Sequence, residues 1–505
     1  MSTPRSEHLS LRALGTELLY TAAQTRELDR AAIQDHGIPG IVLMSRAAAS
    51  AFEALLSAWP DPERIQVLCG TGNNGGDGYL IADLAQNRGI DVTVLQIGDP
   101  NKVSGDALQA RNQALANGVV IAPFSSTPLM GVGVIVDAML GTGLGGEVRD
   151  AYKSAISAIN SAGAAVMAVD IPSGLCSDTG RVLGAAVRAD LTITFIGLKR
   201  GLFTHCAADY TGAIEFVDLG VPPEVYAQVD CDSVRLELEY LLEQLPPRPA
   251  NAHKGSYGTV LIVGGDRGMA GAVALAAEAA LRCGAGLVKV ATQAEHISAI
   301  VARTPEAMPV PVRSGQDLAP LIESADVLVV GPGLGQSPWS QQLLQAATAS
   351  NKPMVLDADG LNMLANGVAV AERRRSNWVL TPHPGEAARL LGCSNAEVQS
   401  DRFDAVRRLQ HSYGGVVLLK GSGTLITDGE QLLLSDYGNP GMASGGMGDV
   451  LSGVIGSLLA QQQEPLAATA LAACLHGAAG DAAAEQGQRG LLASDLMPVM
   501  RQFLE

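Results

Sequence analysis

The stretch NPGMASGGMGDVLSG, residues 439–453, reads as a glycine-rich turn that delivers one carboxylate, Asp449, to the start of an apolar helix over 450–460. The first backbone N–H groups of a helix have no partner inside it, and the aligned peptide dipoles there favour negative charge. Glycines at 445, 446 and 448 let a ligand approach the backbone without a Cβ in the way. Such a turn suits a phosphoryl group in transfer, and a free carboxylate beside it can take the proton of an attacking hydroxyl. Taken alone, the same residues serve equally well as a plain connection with Asp449 as a helix cap.

Working outward, TVLIVGG, GLVKVAT, DVLVVGPG, KPMVLDAD, NWVLTPHPG and GVVLLKG precede the turn as short apolar, β-rich runs with helical stretches between them. TLITD and QLLLSD read as an antiparallel hairpin closing on Asp428 and Gly429, and the chain after Asp449 is alanine-rich and nearly all helical. The same rhythm appears earlier in RIQVLC, DVTVLQI, GVIVDAM, AAVMAVD and DLTITFI. It predicts an α/β fold with parallel sheets wound on both faces. The rhythm fades after IEFVDLGVPP, and a charged, proline-broken stretch places the joint between two domains in residues 228–250. The expected domains are 1–227, a Rossmann-like three-layer α/β/α unit, and 228–505, a second α/β/α unit; 505 residues are too many for one ordinary core.

The hydrophobic fraction is 47% but aromatics only 4%, which points to small-residue helices packed closely on sheet. A net charge of -17 without a basic stripe argues against a nucleic-acid or anionic-membrane partner and for small-molecule ligands. The cysteines are scattered singly, with no CxxC, so neither a disulfide framework nor a zinc site is expected. The N-terminal residues mix charges and lack the apolar core of a secretory signal. No uncharged apolar run of bilayer length is evident; residues 268–290 come nearest but carry Glu278, Arg282 and Lys289. A cytoplasmic location is the expectation. A homo-oligomer is also expected, although the alanine-rich face at 465–484 can equally be internal core.

Several glycine- or acid-bearing turns of the second half follow strands, where open α/β sheets place ligands. They are VGGDRGMAGA, VVGPGLGQ, VLDADGLN, TPHPGEAARLL and LLKGSGTLI, with no GxxxxGK[ST] phosphate loop among them. In this order, ending on the turn at 439–453, they resemble the ribokinase-like NAD(P)H-hydrate dehydratases over residues 250–505. The resemblance implies a ribokinase-like domain in which Lys420, Gly421, Ser422, Gly423, Thr424 and Gly448 contact ADP or ATP carried with Mg²⁺. It also implies that Ala272, Gly335, His383 and Asp449 line the hydrated nicotinamide.

In the first half, LCGTGNNGGDGYLIA satisfies GxGxxG at Gly70, Gly72 and Gly75, the mark of a dinucleotide-binding dehydrogenase. The same pattern matches Gly141, Gly143 and Gly146, and the acid wanted about 20 residues on at the next strand end is missing, since that strand ends in Gln96-Ile97-Gly98. Acid and amide groups instead cluster at strand ends: Asn73, Asn74, Asp77, Asp137 and Asp170 with Ser173, all hard oxygen donors suited to a hard cation or, singly, to capping. GNNGGDG, DAMLGTGLGG and VDIPSG resemble the NAD(P)H-hydrate epimerase domain over residues 15–225. The resemblance implies that Asn73, Asn74, Gly75, Gly76, Asp77, Gly141, Thr142, Gly143, Leu144, Gly145, Gly146, Glu147 and Asp170 bind the hydrate. Asn74, Asp137 and Ser173 would hold potassium.

Together the halves are similar to bifunctional NAD(P)H-hydrate repair enzymes. NADH and NADPH can add water beside the ring nitrogen, giving two hydrate epimers. The first domain is expected to interconvert them with Asp170 as acid/base. The second is expected to phosphorylate the hydroxyl with Asp449 as base and then expel phosphate. A small-alcohol kinase fused to a non-catalytic Rossmann-like module would share the Asp449 chemistry but leave its product phosphorylated.

Overall fold

The computed structural model describes residues 17–125, 129 and 131–504, so most of the N-terminal stretch read for a leader lies outside the described residues. Of the two compact units, Leu18–Cys231 forms the first and Asp232 onward, joined by Glu17, forms the second; the break falls within 228–250, but Glu17 departs from the expected first domain.

The first unit is built on a parallel sheet in the order Val120–Pro123, Asp91–Gln96, Arg64–Cys69, Val134–Ala138, Ala165–Val169, Leu191–Phe195, Ala213–Val217. Neighbouring residues face opposite sides. Val67, Val136 and Met167 enter one apolar cluster, while Leu68, Ile135 and Val166 enter another. Both faces are therefore covered, which is why the central strands are continuous apolar runs. The two edge strands lack that signature because most of their residues are exposed or half-buried. From Arg64–Cys69 the sheet winds outward in both directions, so the carboxyl ends of that strand and of Val134–Ala138 open a crevice at the switch point.

In the second unit Met308–Pro311, Leu287–Thr292, Thr259–Val263, Val327–Val330, Met354–Leu356, Trp378–Leu380 and Val416–Leu419 pair in parallel. The expected hairpin, Thr424–Thr427 with Leu432–Ser435, continues the sheet antiparallel. Ser233–Arg235, beside Leu432–Ser435, is a strand that sequence patterning does not announce.

Helix Met447–Ala460 lies against helix Ala270–Arg282 at very short range. A Cβ built on Gly453 would sit 2.2 Å from the carbonyl oxygen of Ala276, so only glycine permits this approach. Helix Pro465–Ala484 is buried from Ala468 to Gly480, which makes its alanine-rich face internal core. That helix and Gly40–Ala58 do have the length and apolar composition of a bilayer span, contrary to the sequence reading. The first is mostly enclosed, and the second carries Arg46 and Glu53 and turns Leu43, Ala47, Ala51 and Leu55 into the core.

Candidate active sites

In the second unit the helix bearing Asp449 begins one turn earlier than the sequence suggests. Its N-cap is Gly446, at φ +93, and Asp449 is the third helical residue instead of the cap. A Cβ would strain that left-handed backbone. The first intrahelical bond is Val450 N to Gly446 O at 3.0 Å, so the amides of the residues between precede the hydrogen-bonded ladder. The turn itself is braced: Asp481 accepts from Gly438 N and from Asn439 Nδ2, and Asn439 Oδ1 accepts from Gly441 N.

Asp449 is half-buried and its carboxylate makes no hydrogen bond among the described residues. Burial pushes its carboxyl up to about 6, with Asp357 adding to the effect and Lys420 opposing it. Lys420 Nζ donates to Asp357 Oδ1 at 2.8 Å, and Ser452 Oγ donates to Asp357 Oδ2 at 2.9 Å. Burial works against the Lys420 ammonium, but Asp357 and Glu386 outweigh it and hold the group above its ordinary range. Gly448 closes over this pair, since a Cβ there would lie 3.3 Å from Lys420 Nζ. Glu386 Oε2 is 4.0 Å from the same ammonium, and burial raises the Glu386 carboxyl to about 7.

The other expected residues surround this cluster. Lys420 to Thr424 form the turn of a second hairpin, Val416–Leu419 with Thr424–Thr427, with Gly421 and Ser422 exposed at its tip and Thr424 Oγ1 donating to Gly421 O. His383 caps helix Pro384–Leu391: its Nδ1 accepts from Gly385 N while Glu386 Oε2 accepts from His383 N. Burial lowers the His383 imidazole, as do the Lys420 and Arg389 charges, so the ring is neutral and donates from Nε2. Gly335 N donates to Asp359 Oδ2 at 2.8 Å, and Ala272 packs under the same glycine loop at Gly333. Arg402, in helix Arg402–Tyr413, is a residue that sequence reasoning misses. Its buried guanidinium donates to the carbonyls of Leu419, Lys420 and Gly423, and burial lowers it to about 10. An arginine in an amphipathic helix carries no signal of such a role.

In the first unit a cavity of about 680 Å³ opens at the switch point. Asn73, Asn74, Asp77, Gly141, Thr142, Gly143, Leu144, Gly145, Glu147 and Asp170 line it. Gly75, Gly76 and Gly146 do not. Gly75 packs on the Gly70 carbonyl, Gly76 on Met44 and Ala107, and Gly146 is a left-handed turn residue. Asp170 itself adopts φ +70, a left-handed conformation that aspartate tolerates better than most side chains and that recurs at functional sites. Its carboxylate pairs with the buried ammonium of Lys199, which also donates to Thr194 Oγ1 and to the Phe195 carbonyl, both at 2.9 Å. Lys199, in GLKRG after a strand, is unforeseen, and so is the contribution of the N-terminal helix through Thr25 and Asp29.

Asp137 is fully buried beneath the cavity. Its Oδ1 accepts from Ser173 Oγ at 2.6 Å and its Oδ2 from Ser173 N at 2.8 Å, while burial raises its carboxyl to about 6. Asn74 is buried, and neither of its side-chain polar atoms is hydrogen-bonded among the described residues. Gln96, standing where a dehydrogenase would place its ribose-binding acid, turns inward. Its amide donates to the Cys69, Gly70 and Ile97 carbonyls and its oxygen accepts from Tyr79. The group that would read a ribose is thus used to hold the glycine turn.

Fold and site together define a two-domain α/β enzyme, one unit with a carboxylate–lysine cavity at a Rossmann-like switch point and one with a ribokinase-like glycine turn and unpaired aspartate. Residues 40–201 match the family model described as YjeF-related protein N-terminus, and residues 260–501 match that of NAD(P)H-hydrate dehydratase. The bifunctional NAD(P)H-hydrate repair enzyme Nnr of Coxiella burnetii is 49% identical over 486 residues, covering 96% of this chain and 99% of that one. Its counterpart in Escherichia coli is 45% identical over 96% of this chain and 94% of its own. Among solved structures, an ADP/ATP-dependent NAD(P)H-hydrate dehydratase from Bacillus subtilis, co-crystallised with ATP and Mg²⁺, aligns with 53% of this chain and 98% of its own at 31% identity and a TM-score of 0.47. The chain belongs to the family of bifunctional NAD(P)H-hydrate repair enzymes.

Proposed function

We propose that this chain interconverts the two epimers of hydrated NADH and NADPH in its first unit and returns one of them to the reduced dinucleotide in its second, at the expense of ADP or ATP. The observation that carries the second activity is Asp449, a carboxylate with no hydrogen-bond partner among the described residues, at a glycine-capped helix start beside the Lys420–Asp357 pair. Hydroxide is a poor leaving group, and phosphorylation of the ring hydroxyl makes it a good one. Asp449 takes the hydroxyl proton, the amides at the helix start face the transferring phosphoryl, and Lys420 with the hairpin turn holds the nucleotide. Phosphate then departs with the C–O electron pair as the ring nitrogen donates, and loss of a ring proton restores the dihydropyridine. Mg²⁺ carried with the nucleotide would neutralise phosphate charge, held mainly by phosphate oxygens and water.

In the first unit Asp170 exchanges the proton of the departing and returning water. The buried, unpaired oxygen of Asn74 with the Asp137 and Ser173 oxygens is a donor set that fits potassium, which would fix the surrounding loops.

The test is to mix the full chain with chemically hydrated NADH and ADP or ATP and follow both epimers separately. Recovery of reduced-ring absorbance from a mixture of epimers supports both activities. A stable phosphorylated product sinks the dehydratase reading. Repair that stalls with one epimer untouched sinks the epimerase reading, as does an Asp170→Asn variant that still epimerises at the wild-type rate.

A further inference from the structure

The cavity of the first unit has a wall that no motif marks. Tyr20 pairs with Lys199 in a short parallel bridge, and helix Ala22–Arg30 starts directly afterwards, capped by Thr21 and tied by Ala22 N to Asp178 at 2.7 Å. The helix is pressed onto the Ile196–Gly197 bend: a Cβ on Gly197 would lie 2.9 Å from the Tyr20 ring and 3.1 Å from Leu28. This docking turns Thr25 and Asp29, one helical turn apart, into the same cavity as Asp170 and Lys199. Asp29 lies before residue 40, where the match to the family model begins.

A single acid/base explains loss and return of water on one face of the ring. Inversion requires departure from one face and return to the other, and thus a proton donor on one side and an acceptor on the other. We infer that Asp29 is a second catalytic residue of the epimerase, transferring protons on the ring face opposite Asp170. The inference rests on the reading of Asp170 given above. In one direction the Asp29 carboxyl gives its proton to the hydroxyl. The C–O bond breaks, its electron pair leaves with the oxygen as water, and the ring nitrogen lone pair closes a C=N⁺ bond. A water on the other face then forms the new C–O bond, the nitrogen takes back its pair, and the Asp170 carboxylate accepts the proton. The reverse conversion, or exchange with solvent, restores both groups.

The surroundings suit these roles. Asp170 is salt-bridged to Lys199. Burial pushes the Asp29 carboxyl up to about 6, with Lys199 opposing and Asp170 adding, so that it holds a proton more readily than a surface carboxylate. Asp77, deeper in the cavity wall, is raised further by burial and by both other aspartates, and is the alternative carrier.

Incubating each hydrate epimer with the full chain in ¹⁸O-labelled water, without nucleotide, separates the possibilities. Wild-type protein should place label in the inverted product. Asp29→Asn should lose inversion of either epimer by about 10²-fold or more, yet the epimer whose hydroxyl faces Asp170 should still exchange oxygen with retained configuration, while dehydration of the reactive epimer in the same chain stays unchanged. Loss of retentive exchange by the epimer facing Asp170, in parallel with loss of inversion, would mean a structural role for Asp29 and overturn the inference. So would undiminished inversion, or the uncoupled behaviour appearing in Asp77→Asn and not in Asp29→Asn. Inversion surviving in Asp170→Asn would instead overturn the reading on which the inference rests.

Discussion

Lys420 Nζ lies 2.8 Å from Asp357 Oδ1, and this ion pair sits directly beneath Gly448, one residue before the proposed base. Asp357 is almost fully buried, and Ser452 satisfies its other oxygen. Lys420→Met leaves that carboxylate without its counter-ion and should destabilise the second unit by roughly 3–5 kcal/mol, besides weakening nucleotide binding. Adding Asp357→Asn should recover part of the lost stability, because the two costs arise from one interaction. Urea denaturation of both variants checks this; simple additivity would contradict it.

Asp449 gives two pH effects of opposite sign. As a base it must be ionised, so dehydration should rise with pH through about 6, where burial has moved its carboxyl, and level off above. The same group, protonated more readily when folded than when unfolded, favours the folded state at low pH. That contribution fades as pH climbs from the unfolded value near 3.8 through about 6. Asp449→Asn should therefore lose about 10²–10⁴ in turnover while keeping nucleotide affinity, and should melt no lower than wild type at neutral pH. A variant that loses affinity and turnover equally would point to a structural role.

Removal of Arg402 tests the hairpin turn. Its guanidinium satisfies three backbone carbonyls from inside the fold. Arg402→Met removes the guanidinium donors from these carbonyls, at a cost of about 1–3 kcal/mol. The Michaelis constant for the nucleotide should rise more than turnover falls, since the proposed role of the turn is to hold the nucleotide and not the reacting hydroxyl. Steady-state kinetics varying ADP would show the split.

Gly453→Ala is the sharpest packing test. Its methyl would come within 2.2 Å of the Ala276 carbonyl, with backbone on both sides. The helix carrying Asp449 must then shift, and a loss of about 1–3 kcal/mol with impaired dehydration is expected. Epimerisation by the same chain should be unaffected, which a coupled assay with a separate active dehydratase reads directly.

Potassium is tested in the first unit. Replacing it by a bulky organic cation should slow epimerisation by wild-type protein and leave Asn74→Ala, already slow, unresponsive. An Asn74→Ala variant with a normal potassium response would remove Asn74 from the donor set.

Much of this molecule is legible in the chain because its information is local. The apolar runs at 64–69, 134–138 and 165–169 mark central strands since both sheet faces are covered, and the glycine turns after them mark where ligands can enter. The edge strands Val120–Pro123 and Met308–Pro311 escape notice because exposure removes the apolar signature on which such reading depends. Asp449 was visible for its setting among glycines, although its place in the first helical turn, behind a Gly446 cap, was set by backbone geometry.

The amino-acid order by itself determined two α/β units, the sheet-edge turns and the acids at 170 and 449. Tertiary structure alone decided that Lys199 reaches Asp170, that Arg402 holds the hairpin from beneath, that Gln96 faces inward, and that Asp29 joins a cavity built mainly by distant strands. The reason is physical: each of those side chains takes its role from partners remote along the chain and brought within bonding range by packing, whereas a turn or a strand is shaped by its own neighbours.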